Sequence, residues 1–232
     1  MFKYIIYIFL LLLFISNNTF SLTPKISITL QGNITTNTNF LYNPNSSDII
    51  ISDKNIYPNF GFGVDIRSSL PWEQFAISIS LERITGIEHF TKYFLNENNE
   101  VIPVSFKEGF EMYPIELTGY FIAPFSSENI TFYFGGGVGL YTGKRIYSIN
   151  EIEATTISSS TNFGIHVLTG AEFKIIDFFS LRTEAKFRDP QIDVTTKFNQ
   201  NEIDGVPLST TPATTRINVN GLHYSVGVVF NF

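Results

Sequence analysis

Apolar and polar side chains alternate with a period of two through most of the chain from Lys25 onward, which is the spacing of a strand with one apolar face. Eight such segments can be read, at roughly 25–36, 58–67, 74–84, 107–123, 130–143, 161–175, 178–188 and 216–232. The clearest is 178–188, where Phe179, Leu181, Thr183, Ala185 and Phe187 oppose Ser180, Arg182, Glu184, Lys186 and Arg188. In the last, Leu222, Tyr224, Val226, Val228, Phe230 and Phe232 share one face, while Gly221, His223, Ser225, Gly227, Val229 and Asn231 take the other.

The connections sort by length. Short turns lie at 68–73, at 124–129 and around Asp177, whereas 37–57, 85–106, 144–160 and 189–215 are long, polar and read as loops. Turn residues mark loop tips at Asn96-Glu97-Asn98-Asn99 and near Asp204-Gly205. An even number of antiparallel strands with short turns at one end and long loops at the other predicts an eight-stranded up-and-down transmembrane β-barrel. A soluble sandwich has no reason to sort its loops in this way.

Composition sharpens this. Charged residues make up 16% of the chain and aromatics another 16%, with 24 Phe and 11 Tyr, against about 25% charged in ordinary soluble domains. Mean hydropathy is nevertheless only +0.11, and beyond the N-terminus no apolar run approaches the ~20 residues of a membrane helix. A barrel reconciles the two, because only alternate residues meet lipid. A net charge of −6 with no basic stripe argues against a nucleic-acid partner. There is no cysteine, hence no disulfide framework and no thiolate metal site.

Residues 1–21 open with Lys3, continue through the apolar run Tyr4 to Ile15 and turn polar at Ser16. This pattern predicts a secretory signal peptide, with the barrel domain spanning 22–232. Twelve apolar residues rise only about 18 Å as a helix, too little to cross a hydrocarbon core of ~30 Å.

The final eight residues, Ser225 to Phe232, run polar, any, glycine, any, any, aromatic, any, aromatic. This ending resembles the C-terminal assembly signal of bacterial outer-membrane β-barrels, carried here by Ser225, Gly227, Phe230 and Phe232. The chain as a whole resembles the small eight-stranded barrels of the OmpA/OmpX type. The resemblance implies an outer-membrane location, pairing of the closing strand with the first, barrel-assembly factors as folding partners, and lipopolysaccharide and outer-membrane lipid as neighbours.

If the apolar faces look out at lipid, the other faces line a lumen. That places Asp65, Glu82, Glu116, Glu172 and Glu184 opposite Arg67, Lys174, Arg182, Lys186 and Arg188, with Lys25 at the first strand's start. So dry a space requires the charges to pair, and eight strands leave room for side chains and little else. An open solute pore is therefore not expected, and a narrow channel for small solutes is the weaker reading.

Candidate chemistry is sparse. The run Gly135-Gly136-Gly137-Val138-Gly139 lacks both the spacing and the β–α context of a nucleotide loop. The histidines, His89, His166 and His223, are too scattered for a metal site, and no cofactor is expected. His223 and Ser225 lie two apart on one strand and weakly resemble the His-x-Ser of outer-membrane lipid A deacylases, with Glu184 as the acid that would orient the base. Val226 departs from that motif, and both side chains point to the lumen. The expectation is a noncatalytic, monomeric surface scaffold whose loops meet an extracellular ligand; a lipid A-modifying enzyme is the alternative.

Overall fold

The structure, a computed structural model, describes residues 25–44, 53–57, 59–71, 74–95, 100–203 and 206–232. The signal peptide expected at 1–21 and the loop tips expected at 96–99 and 204–205 lie outside the described residues. The strands are β1 (Ile26–Thr35), β2 (Asn39–Tyr42), β3 (Asp53–Asn55), β4 (Asn59–Ser69), β5 (Phe75–Leu95), β6 (Val101–Ile122), β7 (Ile130–Ile149) and β8 (Ile152–Glu153). There follow β9 (Thr155–Ser159), β10 (Asn162–Ile176), β11 (Phe179–Arg188), β12 (Gln191–Lys197), β13 (Glu202–Ile203), β14 (Val206–Pro207), β15 (Ala213–Asn218) and β16 (Gly221–Asn231).

Eight of these close into an antiparallel barrel in the order β10, β11, β16, β1, β4, β5, β6, β7, with β7 pairing back to β10. The seam joins the first strand to the last, Ser27 opposite Asn231 through Thr35 opposite His223. Closure removes the unpaired edges that hydrocarbon cannot satisfy.

The faces decide the environment. Phe60, Phe62, Ile79, Leu117, Phe134, Ile165, Leu181 and Val226 are exposed on the outer wall, while Asp65, Glu82, Glu116, Arg182, Lys186 and Arg188 are buried inside. In water this arrangement would be inverted; against acyl chains it is the favourable one. At the short-turn end Phe75 packs on Phe121 at 5.5 Å and Phe179 on Phe230 at 5.9 Å, as an aromatic girdle at the membrane boundary.

Three departures from the sequence reading matter. First, β5, β6 and β7 run for 21, 22 and 20 residues, about twice the 9–11 that a tilted strand needs to cross a bilayer. Much of the connections expected at 85–106 and 144–160 is thus strand, continuing the barrel wall beyond the lipid.

Second, the remaining long connections are folded. β3, β2, β15, β12 and β9 form a five-stranded antiparallel sheet drawn from three of the predicted loops, and β13 pairs with β14. Arg216 ties β15 to β12 by a two-pronged pair with Asp193, at 2.8 and 3.0 Å.

Third, the stretch 216–232 is not one strand. It breaks after Asn218, and Gly221 restarts it with φ of 117°, a conformation suited to a residue without a Cβ. Arg216 and Ile217 therefore belong to the outer sheet and not to the barrel wall.

Candidate functional site: a stoppered bore beneath an extracellular cup

Inward-facing residues stack in successive layers along the bore. At the short-turn end Ala76, Tyr120, Tyr133 and Leu168 form a small buried cluster, and the Arg67 guanidinium lies 3.7 Å from the Tyr120 ring centroid. Above it Arg67 reaches Glu184 at 3.2 Å, Arg182 reaches Asp65 at 2.8 Å and Glu172 at 3.0 Å, and the Tyr133 hydroxyl donates to Glu184 at 2.9 Å.

The next tier is a four-membered charge lattice. Lys186 contacts Glu82 at 2.9 Å and Glu116 at 2.6 Å; Arg188 contacts the same two carboxylates at 2.8 and 2.9 Å. The Tyr141 hydroxyl donates to Glu116 at 3.0 Å, and the amides of Gln31 and Asn33 reach Glu82 at 3.4 and 3.5 Å. Several donors per carboxylate are what a buried ion cluster needs, since Coulomb attraction alone does not offset desolvation.

Lys174 is a correction. It has the inward parity but sits at the β10 bulge beside the turn, half-exposed and paired with Asp177 at 2.7 Å, so it stands outside the lumenal network. A lysine this close to the mouth keeps its hydration by turning to the turn's own carboxylate.

The histidines meet partners that sequence spacing did not reveal. His223 Nδ1 lies 2.8 Å from the Thr35 hydroxyl, and Nε2 lies 3.4 Å from Glu82. His166 pairs with Thr118 at 2.9 Å. The His223, Ser225 and Glu184 trio is not assembled as base, nucleophile and orienting acid: Glu184 is held by Arg67 and Tyr133, and His223 and Ser225 are both buried in the bore. Ser225 stands opposite Glu184 and Asn33. Of the other residues in the C-terminal pattern, Gly227 has no room for a Cβ, which would stand 2.7 Å from the Leu30 carbonyl, Phe230 packs in the girdle, and Phe232 donates its N–H to Ile26 at 2.9 Å.

Over the charges lies a dry layer. Phe40, Ile56, Ile84, Phe110, Met112, Tyr141, Ile192, Val194, Ile217 and Val219 form one buried cluster supplied by both the barrel wall and the outer sheet. Its place follows from the strands, for β6 passes inward-facing Glu116, then Met112 and Phe110, then Glu108 and Phe106.

Above that layer a half-open cavity of about 830 Å³ lies between the extended β5–β7 wall and the outer sheet. Its floor holds Glu108, which receives Arg145 in a short ion pair and Lys54 at 3.4 Å. Lys54 also pairs with Glu88 at 3.2 Å. Burial and the nearby Glu108 carboxylate push the Tyr42 hydroxyl well above the ordinary phenol range, so it stays a donor. The walls carry Phe90 stacked parallel on Phe106 at 5.2 Å, and Tyr147 against Phe198 at 5.4 Å. Asp53 and Lys92 stand exposed at the rim. Sequence reading missed Glu88, Phe90, Phe106, Arg145 and Tyr147 because it bounded β5, β6 and β7 at 84, 107 and 143, short of their full length, and missed Tyr42, Asp53 and Lys54 because it read 37–57 as loop. Glu108 lay inside the segment read at 107–123, and inward Val104, Phe106, Glu108, Phe110 and Met112 continue the period of two seen lower in β6.

A closed ring of eight antiparallel strands, greasy outside and charged within, with its long connections all at one end, has the fold of the small outer-membrane β-barrels, with an outer wall suited to lipid. Among solved structures it is similar to the outer membrane protein OprG from Pseudomonas aeruginosa, with a TM-score of 0.55 and 7% identity over 90% of this chain and 96% of that one. It is also similar to Neisserial surface protein A, with a TM-score of 0.47 and 13% identity over 89% and 97% of the two chains. At such identities the likeness is one of fold. No protein-family model matches the chain, and no curated protein resembles it in sequence.

Proposed function

We propose that the chain is a noncatalytic outer-membrane scaffold, a stoppered barrel that holds a folded β-module at the cell surface, where the cup receives a ligand from outside. The observation that carries this reading is the sequence of layers beneath the cup. An apolar cluster and two tiers of paired charges lie between the cup floor and the short-turn end. The cup's rim, by contrast, is exposed.

On the outer wall, just above the lipid-facing Leu81, Arg83 and Lys144 flank Glu111 with their side chains about half-exposed. These cations suit the phosphates of lipopolysaccharide, the neighbour expected at that height, and would fix the barrel's depth.

Reconstitution into planar bilayers tests the stopper. No unit conductance is expected from the unaltered protein, and steady channel currents would overturn the reading. Overexpression should likewise leave the acyl pattern of lipid A unchanged by mass spectrometry; a lost or gained acyl chain would make the protein an enzyme.

A further inference from the structure

Within the reading of the cup as a receptor, we infer that its occupant is a small organic anion: a carboxylate, or a group of similar charge, on a flat apolar body. The inference rests on which groups in the cup are already satisfied.

The acids beneath the rim are taken, with Glu108 holding Arg145 and Lys54, and Glu88 holding Lys54; Asp53, exposed at the rim, accepts from the Asn39 amide at 3.2 Å and has no cation within ion-pair distance among the described residues. The ring faces that might attract a cationic ligand are taken too. Lys54 Nζ stands 4.0 Å from the Phe90 centroid, and the Arg145 guanidinium lies 4.3 Å from that of Tyr147 and 5.3 Å from that of Tyr42. A positively charged guest would meet the chain's own cations at each of these three faces.

What remains unmet are donors. Arg145 is buried, yet its Nε has no hydrogen-bond partner among the described residues. Lys92 and Lys197 line the same cavity, and among the described residues neither has a carboxylate within ion-pair distance. Arginine and lysine side chains donate only, so their complement is an acceptor, and a charged acceptor makes the stronger bond. Lys92 Nζ lies 5.6 Å from the centroids of both Phe90 and Phe106, which sets a free ammonium group beside a stacked aromatic wall. The cavity volume of about 830 Å³ suits a ligand of many heavy atoms with a modest number of polar anchors.

The test uses the full mature barrel in lipid nanodiscs and titration calorimetry with 2-naphthoate, beside its neutral analogue 2-naphthamide. Saturable one-to-one binding of the carboxylate is expected, weakening as salt is raised, with the amide bound at least about fivefold more weakly. Lys92→Gln with Lys197→Gln leaves the Glu108–Arg145 floor intact and should lower affinity for naphthoate roughly three- to tenfold, with the gel shift between boiled and unboiled protein retained. Equal binding of the amide, an unchanged affinity in the double variant, or no saturable binding of naphthoate would each overturn the inference. Tight binding of a neutral disaccharide in place of the carboxylate would overturn the anion but keep the receptor, whereas channel currents would count against the scaffold reading alone.

Discussion

Arg188 and Glu82 meet at 2.8 Å across the bore, from β11 and β5, with no solvent-accessible surface on either side chain. Arg188 also holds Glu116, so Arg188→Met leaves two buried carboxylates short of a donor, and a cost of about 3–5 kcal/mol is expected. Urea unfolding from lipid vesicles measures it. Adding Glu116→Gln should recover part of the loss, because the lattice then carries one negative charge fewer; additive losses would show that the two residues act independently.

Gly137 faces Thr118 and His166 across its two neighbouring strands, and a Cβ there would run into the Leu117 carbonyl oxygen. Gly32 stands on the lipid side with nothing near. Gly137→Ala is expected to destabilise the barrel by about 1–3 kcal/mol through overpacking against backbone. Gly32→Ala should stay within about 0.5 kcal/mol. Parallel unfolding curves of the two variants would expose a wrong assignment of the inner face.

Gly221 holds a φ of 117° where the outer sheet hands over to the barrel. Alanine is strained there whatever the space, so Gly221→Ala should cost about 1–3 kcal/mol. The strain falls on the junction, and amide exchange in β15 should rise more than exchange in the middle of β16. Equal effects on both would mean that the two segments behave as one strand.

The outer sheet predicts slow exchange in a region whose composition suggests loops. Amides of Val194 in β12 and Thr215 in β15 lie in a ladder backed by buried Ile192 and Ile217, and their protection should approach that of the barrel wall. Hydrogen exchange by NMR or mass spectrometry in nanodiscs checks this. Exchange at the rate of free peptide would dissolve the cup.

How much of this was legible follows from which physical signal dominates each stretch. Within the membrane only one signal competes, apolar against polar at a period of two, and β4, β11 and the barrel part of β16 follow it residue by residue. Lumenal charge was legible because nothing else explains Arg182, Glu184, Lys186 and Arg188 on alternate positions of an apolar strand. Outside the membrane the signal weakens. In β12 the inward Ile192, Val194 and Thr196 alternate over only seven residues, beside Asp189 and Pro190, which read as a turn. Partnerships among distant residues, such as His223 with Thr35 or Arg145 with Glu108, depend on registers that local sequence does not encode.

The seam between β1 and β16 carries a consequence for how the molecule comes into being. Residues near opposite ends of the chain, Ser27 and Asn231, must find each other before any strand is free of an open edge. Such remote pairing makes assembly slow and leaves no stable half-built ring. A nascent chain therefore waits, unclosed and vulnerable to sticking, until β16 has been delivered.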